Sequence, residues 1–291
     1  MAVELDAENE KVLKRRDIRR SFRVVLLDIE GTTTPITFVK DTLFPYVRKN
    51  VQNYLKKNWI TTECQQDIKA LQEQAEKDKD LDGMVPILKY DKDDENIDET
   101  TKEKVIRSIV DNVLWQMDSD RKITALKQLQ GHIWKKAYED GEIKGEVYDD
   151  VVPALEEWTS SRIKVYIYSS GSVEAQKLLF KYSDKGDLLK YFSGHFDTKI
   201  GLKVECESYK KIVECVGEKP GEILFITDVV KEACAATEAG MQTVLSVRPG
   251  NTPLTDDDKS TYKTIKSFSN LTEEQDLQNG KPKKARTDDD A

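Results

Sequence analysis

Histidine is scarce in this chain: 291 residues contain two, His132 and His195. A histidine-based catalytic triad or a His-rich metal centre is therefore poorly supplied. Cysteine is almost as sparse. Cys64, Cys206, Cys215 and Cys234 are scattered, with no C-x-x-C pair, and read as reduced cytosolic thiols rather than a disulfide frame or a zinc site. No run approaches the roughly 18 apolar residues of a membrane-spanning helix. The first twenty residues place Glu4, Asp6, Glu8 and Glu10 ahead of Lys14-Arg15-Arg16 and lack the apolar segment of a secretory signal. Positive charge is short as well. The 46 Lys and Arg are outnumbered by 54 Asp and Glu, for a net charge of -8, which argues against a general nucleic-acid binder. The expectation is a cytoplasmic protein without a nucleic-acid or membrane partner.

Hydrophobic residues make up 38% and charged residues 34% of the chain, enough for a sizeable core in one large domain or two. The most informative stretch is Asp28-Ile29-Glu30-Gly31-Thr32-Thr33-Thr34-Pro35. It follows an apolar run over 22–27, with Val24, Val25, Leu26 and Leu27 consecutive, which suits a strand buried on both faces of a parallel sheet. In open α/β sheets ligands bind beyond the carboxyl ends of the strands, where Asp28 falls. A carboxylate there can act as a nucleophile or hold a cation. The same residues would also serve as a plain polar turn and cap.

Residues 1–20 read as a disordered tail. From Phe38 the apolar spacing becomes helical: Leu43, Val47, Val51 and Leu55, then Ile68 and Leu71, then Val105, Ile109 and Val113, then Leu126, Leu129 and Ile133. Residues 38–147 thus contain helices and no strand, with an acidic loop near 89–101. Alternation resumes at Tyr148. The pattern predicts a helix from about 150 to 160, a strand at 164–168, a helix at 173–180, a short strand at 195–200 and a helix at 209–216. A strand at 222–227, a helix at 231–239 closed by Gly240 and a last strand at 243–247 follow. Residues 271–291 read as a second disordered tail, with a basic run at 281–286 of the kind that directs nuclear import. The domains expected are an α/β core over 21–37 and 148–270 and a helical cap inserted at 38–147.

Three strands end in polar groups: Asp28 with Glu30, Ser169 with Ser170, and Asp228. Lys203 lies in the loop after the short strand. One parallel sheet would bring these to a common edge. A nucleophilic carboxylate, hydroxyls and an ammonium for phosphate oxygens, and acids for a divalent cation form the set that phosphoryl transfer needs. Facing carboxylates need a cation or a proton between them, and magnesium suits an all-oxygen site. Glu232, one turn beyond Asp228, reads as a surface residue or an outer partner, and His132 and His195 as structural.

Leu27-Asp28-Ile29-Glu30-Gly31-Thr32, Tyr168-Ser169-Ser170-Gly171-Ser172 and Thr227-Asp228 resemble the successive motifs of the haloacid dehalogenase superfamily of phosphatases. With the longer matches at Gly194-His195-Phe196-Asp197-Thr198-Lys199, Arg248-Pro249-Gly250-Asn251 and Trp115-Gln116-Met117, the chain is most similar to the methionine-salvage branch. The resemblance spans about 22–270. It implies a Rossmann-like three-layer parallel sheet with an inserted helical cap, one magnesium ion per subunit and a monomeric enzyme. The implied substrate is 2,3-diketo-5-methylthiopentyl-1-phosphate, enolised and then dephosphorylated. Asp28 would be nucleophile and metal ligand, and Glu30 acid or base with its main-chain carbonyl on the metal. Asp228 would be the last metal ligand, and Ser169, Ser170 and Lys203 would bind substrate. The wider superfamily carries Asp where this chain has Glu30, which leaves open which group protonates the leaving oxygen. Another small phosphorylated metabolite, a carbon–halogen bond, or binding without catalysis are the alternatives.

Overall fold

The computed structural model describes residues 22–90 and 98–271. The two expected tails and most of the acidic loop lie outside the described residues. The first strand, β1 (Val24–Leu27), is short and buried throughout. After it, a single π-turn, Val39–Leu43, leads into four helices: α1 (Phe44–Asn58), α2 (Thr62–Lys77), α3 (Glu99–Asp118) and α4 (Thr124–Glu139). The remainder alternates: α5 (Val151–Ser160), β2 (Lys164–Tyr168), α6 (Val173–Lys181), β3 (Phe192–Phe196), α7 (Cys206–Val216), β4 (Ile223–Thr227), α8 (Val230–Glu238), β5 (Gln242–Ser246), α9 (Asp256–Thr261) and β6 (Lys263–Ile265). The chain divides into two compact units. Residues up to Phe38 with those from Lys144 onward form one, and Val39–Ile143 form the other.

In the helical unit the apolar stripes of α1 to α4 close on one another through Val47, Val51, Leu55, Ile68, Leu71, Ile109, Val113, Leu129 and Ile133. Thr61 and Asp98 cap α2 and α3 by accepting main-chain N–H groups. Two carboxylates are buried there, Asp67 and Asp78, the latter paired with Arg121 at 2.7 Å. Asp67 accepts from Gln128 at 2.8 Å and lies 2.6 Å from His132 Nδ1, so its carboxylate is hydrogen-bonded.

The other unit holds a six-stranded sheet in the order β3-β2-β1-β4-β5-β6, parallel at every pairing. Val24, Leu26, Ile223 and Phe225 cluster with Tyr209, Ile212 and Val216 of α7 and with Ala235 and Ala236 of α8. Val25 and Leu27 point to the opposite face and are equally buried. Both faces are therefore covered, which is why these strands read as unbroken apolar runs.

Three expectations need correction. The strand expected at 195–200 runs over Phe192–Phe196, because the Asp197 carboxylate accepts from Val173 N and Lys199 N and turns the chain there. The strand ending near 247 is not the last. Thr255 and Asp258 form a capping box that starts α9, and β6 then pairs with β5. Leu271 belongs to the packed structure rather than to a tail, being 3% exposed.

Candidate active site

The central strand delivers the nucleophile candidate. β1 pairs with β4 so that Leu27 faces Ile226, and Asp28 N continues the ladder by donating to Ile226 O at 3.0 Å. The Asp28 side chain is thereby fixed at the sheet's carboxyl edge, 5% exposed. Its Oδ1 accepts from Ile29 N at 2.7 Å and from Lys203 Nζ at 2.6 Å. Lys203 also lies 2.8 Å from Glu232 Oε2, so one ammonium bridges two carboxylates. Burial pulls the Lys203 pKa down, but Asp28 and Glu232 outweigh it and the net shift is upward.

The lysine arrives on a braced loop. Tyr209 OH donates to Lys203 O at 2.6 Å, Tyr168 OH to Gly201 O at 3.0 Å and Ser208 Oγ to Leu202 O at 2.8 Å. Lys203 is thus neither solvated nor free to swing.

Asp228 follows β4 at the same edge. Burial first, then the nearby Asp28 and Glu232 carboxylates, push its pKa up to about 7. Gly31 stands against it. Gly31 has φ +70, and a Cβ there would lie 2.5 Å from Asp228 Oδ2 and 2.7 Å from Asn251 Oδ1. Only glycine fits this approach.

Ser169, buried at the end of β2, donates its N–H to Phe196 O and accepts at Oγ from Gly171 N. Ser170 is exposed. The N-cap of α6 is neither of these but Ser172, which accepts from Ala175 N at 3.2 Å. Glu30 is half-buried, and its main chain bridges to Thr34. The structure thus gathers Asp28, Lys203 and Asp228, while the two serines share the sheet edge through the pairing of β2 with β1.

Of the two readings of Glu232, surface residue or outer partner, the structure bears out the second. Glu232 is buried at 8% exposure, accepts from Thr227 Oγ1 at 2.7 Å and shares Lys203. The signal was its i+4 spacing from Asp228, which returns a first-turn side chain towards the strand end. His195 keeps a structural role: it lies 3.2 Å from Gln176 Oε1, and burial pushes its pKa down to about 4.

Among the described residues no three His, Cys, Asp or Glu side chains are gathered as a metal cluster. The donor set nonetheless fits a hard divalent cation. Asp28, Asp228 and Glu232 bring three carboxylates against one ammonium, and after burial, the larger cause, the two neighbouring carboxylates add to the raised pKa of Asp228. Asn251 Oδ1 is buried without a hydrogen-bond partner and reaches the same point as Asp228 Oδ2. Oxygen donors of this kind suit magnesium.

The parallel sheet with a buried aspartate closing its central strand defines a haloacid dehalogenase-like hydrolase, and the family model of that description matches residues 22–240. A protein of Branchiostoma floridae, "Enolase-phosphatase E1", is 60% identical over 252 residues, covering 85% of this chain and 83% of that one. A longer Arabidopsis thaliana protein, "Probable bifunctional methylthioribulose-1-phosphate dehydratase/enolase-phosphatase E1", is 53% identical over 86% of this chain and 48% of its own length. The crystal structure of UTR4 protein from Saccharomyces cerevisiae matches with a TM-score of 0.67 at 32% identity, over 86% of this chain and all of that one. Within the hydrolase class, this chain belongs to the enolase-phosphatase E1 family.

Proposed function

We propose that the chain enolises 2,3-diketo-5-methylthiopentyl-1-phosphate and then releases its phosphate, giving 1,2-dihydroxy-3-keto-5-methylthiopentene in methionine salvage. The observation that carries this reading is the buried Asp28 carboxylate, held at the sheet edge by Lys203 and facing Asp228. Asp28 attacks phosphorus, the bond to the leaving oxygen breaks, and an aspartyl-phosphate forms that water hydrolyses. Glu30 donates the proton to the leaving oxygen. Lys203, Ser169 and Ser170 bind the phosphate oxygens, with the ammonium countering their charge.

Asp28, Asp228 and the main-chain carbonyl of Glu30 would hold magnesium, one ion per subunit. When bound, it supplies positive charge that lets carboxylates and phosphate approach one another. The enzyme acts as a monomer in the cytoplasm, with the basic run at 281–286 as a candidate nuclear-import signal. Among the described residues no helix is long and apolar enough to cross a membrane.

The test supplies the diketone phosphate with magnesium and follows enol absorbance and free phosphate together. Enol formation followed by phosphate release, both abolished by chelation or by Asp28→Asn for the second step, is the expected result. Phosphate release from other metabolites but not from this one would reassign the substrate. Chelator-resistant turnover would overturn the phosphatase.

A further inference from the structure

The loop leaving β1 folds back on a single carbonyl. The N–H groups of Thr32, Thr33 and Thr34 all point to Ile29 O, at 3.2, 2.9 and 2.9 Å, and Gly31 N donates to Thr34 O at 2.8 Å. These internal bonds leave the carbonyls of Gly31, Thr32 and Thr33 unused. Buried carbonyls need donors, and each of the three receives a different one from a distant part of the unit. Asn251 Nδ2 donates to Gly31 O at 2.9 Å, Arg248 Nε to Thr32 O at 3.3 Å, and Tyr148 N to Thr33 O at 3.0 Å.

The donors are themselves fixed. Arg248 is 8% exposed. Its Nη2 donates to Asp150 Oδ2 at 2.8 Å and its Nη1 to Lys266 O at 2.9 Å. Its guanidinium carbon lies 4.4 Å from the Tyr148 ring and 5.0 Å from the Phe268 ring. Asp150 Oδ2 also accepts from Ser267 Oγ at 2.9 Å and Phe268 N at 2.6 Å. Asn251 Nδ2 has a second acceptor in Ser246 O at 3.2 Å, at the end of β5. A planar guanidinium filling three directions at once is a rigid strut, which lysine cannot reproduce.

We propose that Arg248 and Asn251 are positioning residues for Glu30. With the Tyr148 N–H they clamp the three carbonyls that immediately follow it, and so set where its carboxyl stands relative to Asp28. Asp28 has supports of its own in the β1–β4 ladder and Lys203, and the loop touches it only through Thr33 Oγ1, which donates to its main-chain carbonyl at 3.3 Å. Releasing the clamp therefore displaces the proton donor and spares the nucleophile. The inference rests on the assignment of Glu30 as proton donor made above.

The discriminating measurement uses leaving groups of different need. 4-Nitrophenyl phosphate departs with little protonation, whereas n-butyl phosphate requires it. In the full-length protein with magnesium, Arg248→Met is expected to lower kcat on n-butyl phosphate about 100-fold. On 4-nitrophenyl phosphate the loss is expected to stay below about threefold, with KM nearly constant. Arg248→Lys should recover only part of the difference. A merely structural role would lower the active fraction and cut both substrates alike, so parallel losses, or none, overturn the clamp. Wild-type protein inactive on both substrates overturns the phosphatase reading and the clamp with it. Should Arg248→Met fail to fold by near-ultraviolet circular dichroism, Arg248→Lys decides: a loss confined to n-butyl phosphate upholds the clamp, and parallel losses or none overturn it.

Discussion

Lys203 Nζ and Asp28 Oδ1 are 175 positions apart in the chain and 2.6 Å apart in space. Their side chains are 9% and 6% exposed, so the pair operates with little help from water. An ion pair in that setting is costly to break from one side, because the abandoned charge keeps its desolvation penalty. Lys203→Met abandons both Asp28 and Glu232. Unfolding free energy is expected to fall by about 3–5 kcal/mol, measurable by urea titration. A loss under about 1 kcal/mol would be the value of an exposed pair and would contradict the buried bridge.

Asp28→Asn separates the two proposed steps. The amide keeps the shape but cannot form an acyl phosphate, so phosphate release should drop by at least about 10³-fold. Enolisation should persist. Simultaneous assay of enol absorbance and phosphate reads both. Wild-type-like phosphate release would remove Asp28 from its role.

The raised pKa of Asp228, about 7, gives the site a pH signature. In metal-free protein the group is protonated more readily folded than unfolded. Its stabilising contribution is complete below the unfolded value near 3.8 and is lost as pH rises through about 7. A cation competes with that proton. Apparent magnesium affinity should therefore rise about tenfold per pH unit below 7 and level off above it. Calorimetry in buffers of different ionisation enthalpy should count about one proton released at pH 6 and almost none at pH 8. Affinity independent of pH between those values would falsify the assignment.

Gly31→Ala tests the packing behind Asp228. A non-glycine residue in the left-handed region costs about 1–2 kcal/mol, and the new methyl would press on Asp228 and Asn251. The melting temperature should fall and phosphate release should drop about 100-fold. Unchanged kinetics would mean that Asp228 can move aside without consequence.

How much of this was legible in the sequence depends on what kind of group each feature uses. β1 and β4 announced themselves because strands covered on both faces read as apolar runs that then stop at Asp28 and Asp228. β6 was invisible: Lys263-Thr264-Ile265 sits at the sheet edge with one apolar residue to declare it. α9 carried a readable Thr255–Asp258 capping box within an otherwise polar stretch. For Glu232 the sequence left a surface residue and an outer partner open, and only the fold, turning it towards Lys203, decides between them. The acceptors that Arg248 and Asn251 hold are main-chain carbonyls, which no side-chain pattern reveals.

The helical unit makes its own prediction through His132. The hydrogen bond to Asp67 raises the His132 pKa above the ordinary 6.5, outweighing burial, which lowers it. The sign follows from the charged form being favoured in the folded state. The contribution is full below 6.5 and fades as pH climbs through the raised value. His132→Gln should flatten the stability profile of the protein on the alkaline side of 6.5, with Asp67 keeping a neutral donor. Urea midpoints measured from pH 6 to pH 9 provide the check; parallel profiles for the two proteins would count against the pair.

The position of β1 in the middle of the sheet has a consequence for synthesis. Its ladder partners on either side are β2 and β4, both made after the entire helical unit has left the ribosome. The strand that ends at Asp28 thus waits unpaired until residues 164–168 have been made. The sheet edge around Asp28 is complete only once residues 223–228 arrive.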